Sequence, residues 1–181
     1  LEGQVIIRSD SLIEVGAEAQ LKDVLLVAPY IIIRKGFRGS VQLVASRQIS
    51  IGDNCRFDYP SSAVLLQREL AGQGEIKVGK NCLFSGTILS LPREDDTGKT
   101  RVSLDAGTEV EGVVYVSGYL SLAHSVKGIV LTDYFVYQTP STIYENYLVN
   151  ASIDRKALSG FFAVSPFFSL GSVRKLVQWV D

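Results

Sequence analysis

Residues 76–84 read Ile-Lys-Val-Gly-Lys-Asn-Cys-Leu-Phe, and residues 49–57 read Ile-Ser-Ile-Gly-Asp-Asn-Cys-Arg-Phe. Both stretches follow the pattern apolar-x-apolar-Gly-charged-Asn-Cys-x-Phe, and they begin 27 residues apart. An internal repeat of this kind is typical of architectures in which each unit buries its apolar face only against neighbouring copies. The repeat therefore predicts a fold in which copies of one unit lie side by side.

Pairs of apolar residues at alternate positions extend the repeat in both directions. Most of the steps between pairs are 18 residues, and two are longer, at 27 and 26 residues. Alternation at period two is typical of β-strands. Two short strands and two tight turns per unit would stack into a single-stranded parallel β-helix, a solenoid with about 18 residues per coil. The alternative is chance alternation in a β-sandwich, which does not keep a fixed step. The pairs are Ile13/Val15, Ile31/Ile33, Ile49/Ile51, Ile76/Val78, Val102/Leu104 and Leu120/Leu122.

An apolar anchor follows each pair, and a glycine stands two positions after four of these anchors. Phe57 and Phe84 are equivalent anchors, so we expect them to stack in the core. The glycines are expected at corners, where the chain needs positive φ or has no room for a Cβ atom. They are Gly39, Gly86, Gly112 and Gly128.

The two cysteines, Cys55 and Cys82, occupy equivalent positions of neighbouring copies. We expect them to be stacked, with Cα atoms within disulfide range. The dihedral angle of a disulfide is awkward between neighbouring parallel strands, which favours buried, reduced thiols over a disulfide. The redox state stays open at this point.

No catalytic, cofactor-binding or metal-binding residues are predicted. Two cysteines and the single histidine, His124, do not supply a tetrahedral metal set. Residues 97–100 resemble the end of a phosphate-binding loop, but Arg93 stands where that motif needs its first glycine. The acidic residues 94–96 lie in an expected exposed loop, where such groups are usually solvated.

Composition and charge indicate one folded domain without a broad basic surface. Hydrophobic residues make up 46% of the 181 residues and the net charge is −1, so binding of nucleic acid is not expected. The longest apolar run, residues 24–33, is interrupted by Pro29 and is too short to span a bilayer. Residues 3–7 have the form of half a repeat, so we expect the chain to be cut from a longer protein whose preceding part could hold a signal or an anchor.

Two segments depart from the regular step. The insertions at residues 67–75 and 92–100 are rich in glycine and charged residues and are expected to be exposed loops. Residues 1–133 are predicted to form the β-helix repeats. Residues 134–181 are aromatic-rich and are predicted to form a C-terminal cap packed on the last coil, with a short amphipathic helix at residues 172–180. A partner-docking surface is the alternative for this segment.

The pattern of residues 49–52, 76–79, 110–116 and 126–130 resembles that of the bactofilins, polymer-forming bacterial proteins. The resemblance covers about residues 3–132. It implies a single-domain right-handed β-helix without enzymatic activity, cofactor or metal, which is often associated with the cell envelope. The large C-terminal segment and the two insertions depart from the family pattern and argue against filament growth at that end.

The repeat and the resemblance together predict a structural or assembly module of a bacterial cell envelope. Its expected partners are other copies, bound through the coil ends, or an envelope protein or glycan. A carbohydrate-binding or adhesion module is the alternative function. A hexapeptide-type transferase that uses His124 is the third, since acyltransferases with 18-residue coils use a catalytic histidine.

Overall fold

A computed structural model describes residues 1–67, 73–92, 100–139, 141–160 and 162–163. These residues form twelve β-strands and one short 3₁₀ helix, η1 (Arg155–Ala157). The strands are β1 (Glu2–Arg8), β2 (Leu12–Val15), β3 (Leu21–Ile33), β4 (Arg38–Ile51), β5 (Arg56–Leu66), β6 (Glu75–Val78), β7 (Leu83–Leu91), β8 (Thr100–Leu104), β9 (Glu109–Leu122), β10 (Ser125–Gln138), β11 (Ile143–Glu145) and β12 (Ser152–Ile153).

Six parallel strands form a closed ring. The first part of β4 pairs with β5 and its last part pairs with β6. Strand β9 is shared in the same way between β7 and β8. The hydrogen-bonded path β4-β5-β7-β9-β8-β6 therefore returns to β4, which makes a closed six-stranded parallel β-barrel. The other six strands extend this barrel: β1, β2 and β3 lie on the β4 side, and β10, β11 and β12 lie on the β9 side.

The predicted single-stranded right-handed β-helix, a solenoid of about 18 residues per coil, is wrong. The chain is all-β as predicted, but the strands close as a six-stranded parallel barrel with extra strands. The physical reason is that period-two alternation determines which residues face inward and which strands are neighbours, but not how the sheet closes. Strands β4 and β9 are each 14 residues long and uninterrupted, where the prediction had two short strands separated by a tight turn.

The register predicted from the apolar pairs is confirmed. The pair Ile49/Ile51 lies beside Ile31/Ile33 on one side and beside Ile76/Val78 on the other. Both members of each of these pairs are buried, so like side chains form continuous rows across the strands. The rows continue through the remaining pairs, which lie opposite one another as Ile13 and Ile31, Ile76 and Val102, and Val102 and Leu120.

The asparagine that the two quoted stretches share forms the turn that separates two strands. Asn54 and Asn81 adopt positive φ values of 56° and 54°. Asparagine tolerates this left-handed conformation better than most residues, which explains its place in both copies. The side-chain oxygen of Asp53 also accepts a hydrogen bond of 2.8 Å from the backbone N–H of Lys80. This hydrogen bond therefore joins the turn at Asn54 to the turn at Asn81.

The predicted boundary between residues 133 and 134 falls inside β10, and the division into repeats and cap stays a prediction. Residues 68–72 and 93–99 of the two insertions lie outside the described part of the chain, as does the helix expected at residues 172–180. No helix among the described residues has the length and apolar character needed to span a bilayer.

Candidate functional site

The interior beside the turns holds the aromatic anchors and the two thiols. Phe37, Phe57 and Phe84 are fully buried. The ring centroid of Phe57 is 5.5 Å from that of Phe37 and 4.9 Å from that of Phe84. Tilted rings at this spacing attract one another beyond the burial of their area. Phe57 and Phe84 pair directly across β5 and β7, as the sequence predicted.

Cys55 and Cys82 are free, buried thiols beside the starts of neighbouring strands. The backbone N–H of Leu83 donates to the Cys55 carbonyl at 2.9 Å, which places the two cysteines side by side. The Cys82 sulfur donates to the Gly52 carbonyl at 3.2 Å, and the Cys55 sulfur donates to the Arg34 carbonyl at 3.4 Å. Both thiols therefore have acceptors in the backbone, so the site needs neither a metal nor a disulfide to satisfy them.

The two thiols titrate as a coupled pair. The interaction with the Cys82 thiol lowers the pKa of Cys55 to about 7, because a neighbouring donor stabilises the first thiolate. The same interaction, together with burial, raises the pKa of Cys82, since a second negative charge beside the first is opposed. The pair can therefore lose one proton far more easily than two.

Three of the four predicted structural glycines form one row. Gly86, Gly112 and Gly128 lie opposite one another on β7, β9 and β10. A Cβ atom on Gly112 would overlap the carbonyl oxygen of Gly86 and would meet the Phe162 ring at 2.6 Å. The row therefore lets the strands approach closely and leaves room for an aromatic ring on one side.

Gly39 lies outside this row, because it pairs with Phe57 instead. A Cβ atom there would overlap the Leu21 carbonyl oxygen. Phe57 in turn pairs with Phe84, so Gly39 lies in a row two residues before that of Gly86.

Residues 162–163 return to the barrel beside this glycine row. The Phe162 ring packs on Tyr59 with a centroid distance of 5.1 Å. The Tyr59 hydroxyl accepts a hydrogen bond of 3.3 Å from the Ala163 N–H and lies 3.4 Å from the Ala163 carbonyl, to which it can donate. The described end of the aromatic-rich segment is thus in contact with β5 and β9.

The outer edge of β1 carries the most exposed apolar side chain of the described strands. β1 pairs with β3 on one side, and no described residue pairs with its other side. The backbone N–H of Ser9 donates to Val27 of β3, so by alternation the groups of Val5 and Ile7 also point to β3. The N–H and C=O of Gln4, Ile6 and Arg8 then point outward, and the Ile6 side chain is 69% exposed.

The opposite side of the sheet is covered at the two ends of β10. β12 pairs with the start of β10, and β11 pairs with its end. Backbone hydrogen bonds also join Ser152 to His124 at 2.8 Å and Asp154 to Val126 at 2.9 Å. In the described part, the sheet therefore has one edge at β10 that is covered at both ends, and one edge at β1 and β2 that has no paired strand.

Two shallow pockets lie at the two ends of β1. One, of about 480 Å³, includes Glu2, Lys22 and Tyr59, and the other, of about 280 Å³, includes Arg8 and Asp10. Both are open to solvent. Their position adds to the evidence that the surface around β1 is accessible.

An exposed cluster of three tyrosines lies beside β11. Tyr137, Tyr144 and Tyr147 have ring centroids 5.9–6.4 Å apart. Their exposed fractions are 37%, 48% and 55%. Sequence reasoning placed these residues in the predicted cap but did not predict the cluster, because Tyr137 and Tyr144 meet through the antiparallel pairing of β10 with β11.

No group of three metal-ligating side chains occurs among the residues that the structure describes. His124 is exposed and follows β9, and its backbone carbonyl is used by Ser152. The residues of the 94–96 acidic cluster and of the 97–99 stretch lie outside the described ranges.

The sequence reasoning did not predict the open edge at β1, although the apolar Ile6 between Val5 and Ile7 was a signal for it.

Compared with protein families, with curated proteins and with solved structures, the chain shows no match.

Proposed function

We propose that this protein is a non-enzymatic structural module that assembles with further chains by adding a strand to the open edge of β1. The observation that carries the proposal is the combination of outward backbone groups at residues 4, 6 and 8 with a 69% exposed Ile6. An unpaired edge of this kind is a ready template for another strand. The further proposal of a place in a bacterial cell envelope rests on the sequence resemblance to bactofilins alone.

The buried interior also supports a structural role. The phenylalanine stack, the thiol pair and the apolar rows are all buried inside the barrel. The two thiols donate hydrogen bonds to backbone carbonyls. The apolar rows stabilise the barrel, and Val5 and Ile7 of the edge strand pack against them. A rigid sheet with one accessible edge is suited to assembly, because the edge does not have to be ordered on binding.

The edge is tested by Ile6→Pro. Proline removes the outward N–H of residue 6 but no hydrogen bond to β3, so the fold should survive. We expect self-association, measured by analytical ultracentrifugation over a concentration series, to weaken about tenfold or more, since intermolecular backbone hydrogen bonds are lost.

The matched control is Ile6→Ala, which keeps the N–H and removes only the exposed side chain. It should weaken association much less than Ile6→Pro. Equal effects of the two changes would show that an apolar patch, and not strand pairing, drives association. Absence of self-association in the unmodified chain at about 100 μM would contradict assembly through copies of this chain, since weak specific complexes form in this range.

A second candidate function is carbohydrate binding, which the exposed cluster of Tyr137, Tyr144 and Tyr147 favours. Aromatic faces offer flat apolar surfaces with polar rims, which suit sugar rings. If a glycan screen finds a ligand, Tyr144→Ala should weaken its binding about three- to tenfold, as measured by calorimetry. Tyr30→Ala removes a tyrosine that is 39% exposed on β3 and should leave the binding unchanged.

A further inference from the structure

The two edges of the sheet differ in a way that limits how copies can meet. Both ends of β10 are occupied, by β12 at residues 125–126 and by β11 at residues 136–138. Between them, residues 127–134 of β10 have no paired strand on the outer side in the described part, so a strand added there is confined between β12 and β11. Two β1 edges can meet without displacing any described strand.

The outward backbone groups of β1 allow antiparallel pairing with a second β1. Antiparallel pairs exchange hydrogen bonds between residues whose groups both point across the gap. With the two-fold axis at Val5, the centre of the strand, Gln4 of one copy lies opposite Ile6 of the other, and Glu2 lies opposite Arg8. This register uses the full length of Glu2–Arg8.

The charges of β1 select the same register. Glu2 and Arg8 are exposed, with side-chain exposures of 69% and 78%. In the register centred on Val5, Glu2 of each copy faces Arg8 of the other copy, so the two-fold axis gives two pairs of opposite charges. A shift of two residues in either direction leaves Glu2 and Arg8 opposite an uncharged residue or beyond the end of the second strand.

The ion pairs that these side chains already make do not prevent the contact. Glu2 pairs with Lys22 at 2.5 Å, and Arg8 lies 3.9 Å from Asp10. All four side chains are largely exposed, and such pairs contribute little. A carboxylate has several acceptor positions, so Glu2 can bind Lys22 and an arginine at the same time.

The β-bulge near Gly3 is compatible with this pairing. The register of β1 against β3 shifts between Glu2 and Val5, and Gly3 has a φ of 100°. Residues 5–8 form the regular part of the strand. The long side chains of Glu2 and Arg8 can span the small displacement that the bulge introduces.

We infer that a second copy of this chain occupies the β1 edge, in a two-fold symmetric dimer whose β1 strands pair antiparallel about Val5. The inference rests on the proposed assembly function and specifies its partner. A two-fold interface of this kind is self-complementary and closes, so it yields a discrete dimer and not a fibre. The two barrels then share one continuous sheet.

The test uses two charge reversals in the full chain, Glu2→Lys and Arg8→Glu. Each variant alone places like charges opposite each other at both ends of the pairing, so its dimer should weaken about tenfold. An equimolar mixture should recover dimerisation to near the unmodified level, because the ammonium introduced in one variant then faces the carboxylate introduced in the other. Native mass spectrometry distinguishes the mixed dimer from the two homodimers by mass.

The control is Glu109→Lys, which breaks an exposed ion pair of 2.7 Å with Lys127 away from β1. It should leave dimerisation unchanged. A mixture that does not recover, with the unmodified chain still associating, would overturn the β1 register but not the assembly function. An open-ended series of larger species would overturn the two-fold dimer. A chain that stays monomeric at about 100 μM would overturn the dimer and assembly through copies of this chain.

Discussion

Replacing Gly112 with alanine is expected to destabilise the folded protein by about 3–5 kcal/mol. Gly112 has a φ of 145°, a conformation that L-residues with side chains rarely adopt. The added Cβ would also overlap the backbone oxygen of Gly86 and press on Phe162. Because the obstacle is backbone, relief requires β7 and β9 to separate, which breaks their hydrogen bonds. Urea unfolding followed by circular dichroism measures the loss.

The matched control for this substitution is Gly16→Ala. A Cβ atom at Gly16 would meet no atom within 4 Å, and Gly16 does not have a positive φ. The free energy of unfolding should therefore change by only about 0.5 kcal/mol in either direction. If the two variants have the same stability, the close approach of Gly86 and Gly112 is not present in the folded protein.

Replacing Phe57 with alanine is expected to cost about 3–5 kcal/mol in the free energy of unfolding. Phe57 is 1% exposed and lies between two other rings, Phe37 and Phe84. Its removal leaves a cavity in the middle of the stack and takes a contact from both neighbours. The closed barrel restricts how far the surrounding strands can collapse into that space. Thermal and urea unfolding report the change.

Two further substitutions separate cavity formation from general sensitivity of this region. Leu83→Ala removes a side chain that is 44% exposed next to Phe84, and it should cost about 0.5 kcal/mol. Phe57→Leu keeps much of the buried volume and should cost less than Phe57→Ala. Equal losses for Phe57→Ala and Leu83→Ala would show that the phenylalanine stack does not form.

The register of the strands could be predicted because it depends on the sequence directly. The spacing of Ile31, Ile49, Ile76 and Val102 identifies which positions share an inward row, and the structure pairs them in that order. The same reasoning placed the second phenylalanine anchor beside the third and the two cysteines beside each other. Each of these predictions needs only the alternation and the length of one copy.

The closure of the sheet could not be predicted in this way. It depends on β4 and β9 being continuous across both of their partners, and alternation is the same for one long strand or two short ones. The glycine row likewise did not extend to Gly39, which lies in the row of Phe57 and Phe84, two residues before that of Gly86. The register of β5 shifts against both of its neighbours around Tyr59 and Pro60, which the repeat does not encode.

The candidate site was harder to predict than the core. The edge of β1 is defined by which strand pairs with it, which no single stretch of sequence states. The three tyrosines come together only because β10 and β11 pair antiparallel, with Tyr137 opposite Tyr144. Surface features of this kind depend on the arrangement of several elements, whereas a buried row depends on one repeated pattern.

The sharing of β4 and β9 between two partners each has a consequence for how the molecule opens. Because β4 is hydrogen-bonded to both β5 and β6, and β9 to both β7 and β8, neither strand can detach from one partner without straining its bonds to the other. The six ring strands should therefore unfold as one cooperative unit. The short strands β1, β2, β11 and β12 lie outside the ring, and each of them pairs with one strand only. Transient local openings, and the fast exchange of amide protons with solvent that reports them, should therefore be concentrated in β1, β2, β11 and β12.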